Sequence, residues 1–265
     1  MDQLHQRRMD HIAVALGAGI GACGVLAAQT AAAAQDSRVV NFVTEGKKII
    51  GVGKNYREHV KELAAGDNPL WKDDGDEPEP ILFIKPTSSY VKEGNPIVLP
   101  RGIGEIHHEL ELGVVIGKEC GPAQKVTEAD SMSYVGGYCL ALDLTARDVQ
   151  LEAKAKGTPW MISKSYDCFA PISELIPASE VPDCHDLDLW MTIGGKMIQK
   201  GNTVDMIHSV PKLIAFISTI MTLEPGDMIS TGTPEGVGPF VPGDEIEAGL
   251  VRSGTTLTSF KFTCT

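Results

Sequence analysis

From residue 47 onward, short stretches of alternating apolar and polar positions are separated by turn residues, the period-two signature of strands. Residues 49–51 and 81–85 read as short strands. Pro225-Gly226-Asp227 and Pro242-Gly243-Asp244 are turn signals, and a strand follows each, at 228–230 and 245–247. The run 107–117 alternates and then becomes β-branched, so it predicts one strand with Glu109, Glu111 and Gly113 on a single face. The apolar run ending at Leu142 predicts a buried strand. Helical patterns are few. One follows Thr145, where Thr145 and Asp148 resemble a capping box and Gly157 is a natural stop. The other spans 210–221 after the start Ser209-Val210-Pro211. The pattern predicts a β-rich α+β fold over 47–265, as a single domain. Residues 63–80, acidic and containing Gly and Pro, read as a flexible loop.

The first 46 residues differ in kind. Arg7 and Arg8 precede an Ala/Gly-rich apolar stretch at 12–34, which predicts a removable targeting segment, a secretory signal or a mitochondrial presequence, rather than a weak membrane segment. Its small residues make it a poor membrane span. Asp2 and Asp10 depart from the acid-poor composition of a mitochondrial presequence. Gly19-Ile20-Gly21-Ala22-Cys23-Gly24 matches the dinucleotide fingerprint, but no second βαβ half is evident downstream, and the targeting reading is preferred.

Composition narrows the classes. At 265 residues and 43% hydrophobic, the chain is long enough for one large core. A net charge of −12 argues against nucleic acid as a partner. The six cysteines form no CxxC pair, which favours free thiols in a reducing compartment.

Candidate chemistry begins at Glu109 and Glu111. On a strand, residues i and i+2 lie roughly 7 Å apart on one surface, close enough for both carboxylates to share one cation. A bare Glu-x-Glu is more often a solvated strand face; the apolar surroundings and a third acid change that balance. Two buried carboxylates repel each other and resist ionisation, a conflict that a divalent metal resolves. The third acid, Asp143, is predicted at a strand end just before a helix, with Arg147 and Gln150 three apart on one face of that helix. Three oxygen ligands without Cys or His at metal spacing suit Mg²⁺, with Mn²⁺ as the alternative. Zinc is disfavoured, since His108-Glu109 lacks the second His of the zincin pattern.

Taken in order, several stretches resemble the fumarylacetoacetate hydrolase (FAH) superfamily, and within it the acylpyruvase/oxaloacetate decarboxylase subgroup. They are Gly51-Val52-Gly53-Lys54-Asn55-Tyr56 with His59, Phe83-Ile84-Lys85-Pro86, His108 to Gly113, Tyr134 to Tyr138, Asp143 to Gln150, Pro159-Trp160, Ser163-Lys164-Ser165 and Thr231 to Gly238. The resemblance covers about residues 48 to 250 and implies a mixed β-sandwich roll with Glu109, Glu111 and Asp143 as metal ligands. It implies His59 and Glu62 as a paired base on a lid, Lys164 as the active-site cation, and substrate contacts from Arg147, Gln150 and Thr233. A lone His beside a Glu, or a Lys beside two serines, is by itself an ordinary surface feature. One departure is Lys54, where relatives commonly carry Arg, so charge is kept and bidentate geometry lost.

The implied function is metal-dependent cleavage of small 2-keto acids: hydrolysis of acylpyruvates, decarboxylation of oxaloacetate, or both. Alternatives are an oxaloacetate keto–enol tautomerase, or an isomerase or hydratase of dicarboxylic 2-keto acids; a non-catalytic binding protein is disfavoured because it needs no lid base. The expected setting is a mitochondrial homodimer, with the cytoplasm as the alternative location and no stable membrane association.

Overall fold

The computed structural model describes residues 36–64 and 78–265, the side chains of 61–64 excepted. The chain divides into two units, Met1–Ser37 and Arg38–Thr265, and the sheets and the candidate site lie wholly in the second. The targeting stretch and the Gly19–Gly24 match therefore fall outside the described residues, as does most of the acidic 63–80 segment.

β-branched and apolar runs build an eight-stranded mixed sheet. Its order is β2 (Ile81–Lys85), β1 (Ile49–Gly53), β12 (Met228–Ser230), β5 (Leu110–Ile116), β6 (Val135–Leu142), β8 (Ala170–Ile172) and β3 (Tyr90–Lys92), with β9 (Ile176–Pro177) paired to β6. β1 runs parallel to β12 and β3 parallel to β8, whereas β5 is antiparallel to both of its neighbours. Alternation along β5 feeds two cores. Leu110, Leu112, Val114 and Ile116 enter the larger one, and Val115 packs on the opposite face with Ile49, Cys139, Ala170 and Met228. That opposite face carries Glu111.

A four-stranded antiparallel sheet, β11 (Lys196–Asn202), β10 (Asp188–Ile193), β14 (Glu245–Arg252) and β15 (Thr255–Thr263), closes over the larger core. Ile246, Ala248 and Leu250 of β14 point inward while Glu245 and Glu247 face solvent, as a half-buried strand requires. The helix Val210–Ile220 covers the same core with Val210, Leu213, Ile214 and Ile217, and Ser209 caps it by accepting from the Lys212 N–H. The result is the strand-rich α+β architecture that the pattern predicts.

Three expectations change. The run 107–117 is not one strand. It breaks at Glu109, so that β4 (Ile106–His108) joins a three-stranded sheet with β13 (Gly238–Pro239) and β7 (Thr145–Ala146), while β5 joins the large sheet. Nor is Thr145 a helix cap. The helix is Arg147–Lys156 with Ala146 before it, and the Thr145 hydroxyl donates to Glu109 instead. Gly157 does stop this helix, in the left-handed conformation at φ 66°. Finally, Val39 and Phe42 are buried in the second core, so the folded unit begins earlier than residue 47. Among the described residues, no helix is long and apolar enough to cross a membrane.

Candidate active site

Glu109 sits where the chain passes from one sheet to another, and Asp143 follows the last residue of β6. The β5–β6 register places Leu110 opposite Leu142, and the Asp143 N–H donates to the Glu109 carbonyl at 2.9 Å. Backbone pairing alone thus brings the third acid to the first two. All three side chains are buried, and Glu109, Glu111 and Asp143 each offer a carboxylate oxygen within 4.8 Å of the others.

Such a cluster needs compensating charge. Lys164, buried at the end of the short helix Met161–Lys164, donates to Glu109 Oε2 at 2.9 Å and to Asp143 Oδ2. Lys85 donates to Asp143 Oδ1 at 2.6 Å and to the Leu144 carbonyl at 3.1 Å. Arg147 Nη2 donates to Glu109 Oε1 at 2.6 Å. Glu111 is held differently, accepting from the Ser230 hydroxyl at 2.6 Å and the Gly232 N–H at 2.8 Å. Gly232 permits that approach. Its φ is 96°, and a Cβ there would stand 2.6 Å from the Asn55 Cβ.

These surroundings separate the acids electrostatically. Burial works against ionisation of Glu109, but Lys164 and Arg147 outweigh it and hold the carboxyl well below the usual range. Burial and then the neighbouring Asp143 push Glu111 up to about 8. Burial would lower Lys164, yet Asp143 and Glu109 raise it, whereas at Lys85 burial prevails and lowers it. An all-oxygen set, with one carboxylate whose charge is poorly met, fits a hard divalent cation.

Glu109 of the triad faces a cavity that is also lined by Gly53, Lys54, His59, Phe83, Arg147, Gln150, Lys154, Trp160 and Lys164. His59 is buried there, on the helix Arg57–Ala64. The backbone of Glu62 belongs to the same helix, but its side chain lies outside the described residues. Arg147 Nη1 donates to Gln150 Oε1 at 2.6 Å, and Arg147 Nε donates to His107 Nδ1 at 3.2 Å, so the guanidinium is fixed from several sides. Thr233 is placed elsewhere. Its hydroxyl donates to the Leu110 carbonyl at 2.8 Å and accepts from Gln199, which anchors the metal-ligand strand.

The sequence reading missed Lys85, Gln199 and Ser230. Lys85 lies in the family-like stretch Phe83 to Pro86, where it reads as a lysine closing an apolar strand and carries no assigned role. Gln199 lies on β11, far from the triad in sequence. Its side chain accepts from the Leu110 N–H at 3.0 Å, pairs with His108 Nδ1 at 3.0 Å and donates to the Pro234 carbonyl at 3.1 Å. No local signal marks it.

Residues 48–261 match the family described as fumarylacetoacetate (FAA) hydrolase, C-terminal. The chain belongs to this family. It is 49% identical over 205 residues to the human mitochondrial oxaloacetate tautomerase FAHD1, a match covering 77% of this chain and 87% of that protein. It is 48% identical over 217 residues to the mitochondrial oxaloacetate decarboxylase of Dictyostelium discoideum, covering 82% and 94%. Among solved structures of the fumarylacetoacetate hydrolase family, fumarylpyruvate hydrolase from Pseudomonas aeruginosa in complex with Mn²⁺ and pyruvate superimposes with a TM-score of 0.71. That match has 30% identity and covers 83% of this chain and 90% of the other.

Proposed function

We propose that this member of the fumarylacetoacetate hydrolase family is a mitochondrial, Mg²⁺- or Mn²⁺-dependent enzyme of small 2-keto acids, with oxaloacetate as substrate. The observation that carries this reading is the Lys164 ammonium, bridging Glu109 and Asp143 inside a cavity that also holds Arg147, Gln150 and His59. The names of the mitochondrial relatives, at 48–49% identity, support oxaloacetate in particular.

Held by Glu109, Glu111 and Asp143, the cation would supply Lewis acidity to a 2-keto acid. The chain's own groups supply the rest. Arg147, steadied by Gln150 and His107, presents its guanidinium to the C1 carboxylate. Lys164 stands where negative charge develops on the C2 oxygen and stabilises the enolate. In tautomerisation His59 takes a proton from C3 of the keto form, and the C2 oxygen gains one to give the enol. In decarboxylation the C3–C4 bond breaks instead, its electron pair passes toward the C2 oxygen, CO₂ leaves, and protonation at C3 yields pyruvate. An acylpyruvate reaches the same enolate when His59 activates water against the distal carbonyl: the C–O bond forms, the C3–C4 bond breaks with its electron pair passing toward the C2 oxygen, and a carboxylic acid leaves. The resemblance to fumarylpyruvate hydrolase supports this third route, which shares every group named.

The test presents oxaloacetate and acetylpyruvate to purified protein with Mg²⁺, with Mn²⁺ and after exhaustive chelation. Enol absorbance reads tautomerisation, and a lactate dehydrogenase couple reads pyruvate. We expect metal-dependent turnover of oxaloacetate. Full activity after chelation, or no turnover of either compound, overturns the proposal.

A further inference from the structure

The cavity holds more positive charge than one carboxylate and one enolate require. Besides Arg147 and Lys164 it is lined by Lys54 and Lys154, against the single carboxylate of Glu109, in a protein whose net charge is −12. Among the described residues, no ion pair joins Lys54 or Lys154 to a carboxylate. Both are half-buried. Burial, then Arg147 and Lys54, push Lys154 down to about 8, and Glu109 offsets them only in part, so like charges crowd one another here. The side chain of Lys154 and the backbone of Lys54 are also fixed in place. The Lys154 ammonium lies 5.0 Å above the centre of the Trp160 ring. Lys54 sits in the left-handed region at φ 59°, a conformation costly for a residue with a Cβ. Next to it Asn55 clamps the turn, donating to the His208 and Thr231 carbonyls at 3.0 and 2.7 Å and accepting from the His208 N–H at 2.7 Å.

We infer that Lys54 and Lys154 form a second carboxylate subsite, which selects dianionic 2-keto acids over monoanionic ones. The inference rests on the 2-keto acid reading above. The metal triad, Lys164 and Arg147 engage the C1 carboxylate and the keto oxygen, a unit that pyruvate shares. The two lysines engage the distal carboxylate, which pyruvate lacks. In oxaloacetate they hold that group during enolisation, and decarboxylation requires its release from them.

The experiment compares two ligands on the full-length, Mn²⁺-loaded protein by water-proton relaxation: pyruvate, and 3,3-difluoro-oxaloacetate, which keeps both carboxylates but cannot enolise. We expect the wild type to bind the dicarboxylate more tightly than pyruvate. Lys54→Gln and Lys154→Gln should each weaken the dicarboxylate about tenfold, the scale of one charge-assisted hydrogen bond, while moving pyruvate by less than about twofold. Lys54→Arg and Lys154→Arg, which keep the charge and guard against misfolding of the glutamine variants, should retain the preference. Equal weakening of both ligands, or no preference in the wild type, overturns the subsite and leaves the metal and Arg147 assignments standing. Failure of the wild type to bind either ligand overturns the 2-keto acid reading, and the subsite with it.

Discussion

Glu111 has no ammonium or guanidinium in ion-pair contact among the described residues, and its pKa near 8 has a consequence for metal uptake. Below that pH the carboxyl carries a proton that a cation must displace. Divalent-metal affinity should therefore fall by about tenfold per pH unit below 8, as one linked proton dictates. Stability follows the same group. Its folded-state pKa is raised, so without a cation its contribution is fully present below the ordinary carboxylate pKa and is lost as pH climbs through about 8. The rise in Tm on adding Mg²⁺ should be larger at pH 8 than at pH 6, and equal rises would mean that no proton on Glu111 competes with the cation. Glu111→Gln and Asp143→Asn should fold but lose metal binding, read by calorimetry, together with nearly all turnover. His59 makes a different prediction. If it moves protons, His59→Ala should cost roughly 10²–10⁴-fold in tautomerisation and acylpyruvate hydrolysis. Decarboxylation, which needs no base, should suffer much less. Equal losses in all three would make His59 a positioning residue.

Between elements, the decisive joint is the one that Gln199 makes between β11 and the metal-ligand strand. Replacing it with Leu strands the Leu110 N–H and other buried polar groups without partners. The expected cost is roughly 1–3 kcal/mol per group left unsatisfied, read by chemical denaturation, with weakened metal binding because Glu109 and Glu111 flank Leu110. Native stability with intact metal affinity would show the joint to be incidental. This joint also marks where sequence stops informing. Glu109, Glu111, Asp143 and the Arg147–Gln150 pair are legible because periodicity and spacing place them, and the helix stop at Gly157 because its conformation demands glycine. The break at Glu109 is not legible. Apolar alternation continues straight through it, and only the partner strands, β7 and β13 for one half and β6 and β12 for the other, decide which sheet each half joins. The Thr145 hydroxyl shows the same limit, since a capping residue and a carboxylate donor look alike until the tertiary partner is known.

For the whole molecule, the question is where folding begins. Phe42 packs edge-to-face on Tyr90 at 5.6 Å between ring centroids, in a core shared with Ile49, Val115 and Met228. We expect removal of residues 1–36 to leave an active enzyme. Removal of residues 1–46 should lose about 3–5 kcal/mol from Phe42 alone, beyond the loss of Val39. Thermal unfolding of the two truncations checks this, and equal stability would place the start of the folded unit after residue 46.

Lys85, Lys164 and Arg147 pair with Asp143 and Glu109, while Glu111 is held by the neutral donors of Ser230 and Gly232, and this bears on how the protein matures. A centre whose acids faced one another without cations would have to wait for its ion before the chain could close around it. Here the counter-charge is encoded in the polypeptide, so folding can finish first and the ion can arrive last. The bound ion then becomes an exchangeable passenger. Its identity would follow what the compartment holds at the time, and a stripped molecule could be recharged without passing through an unfolded state.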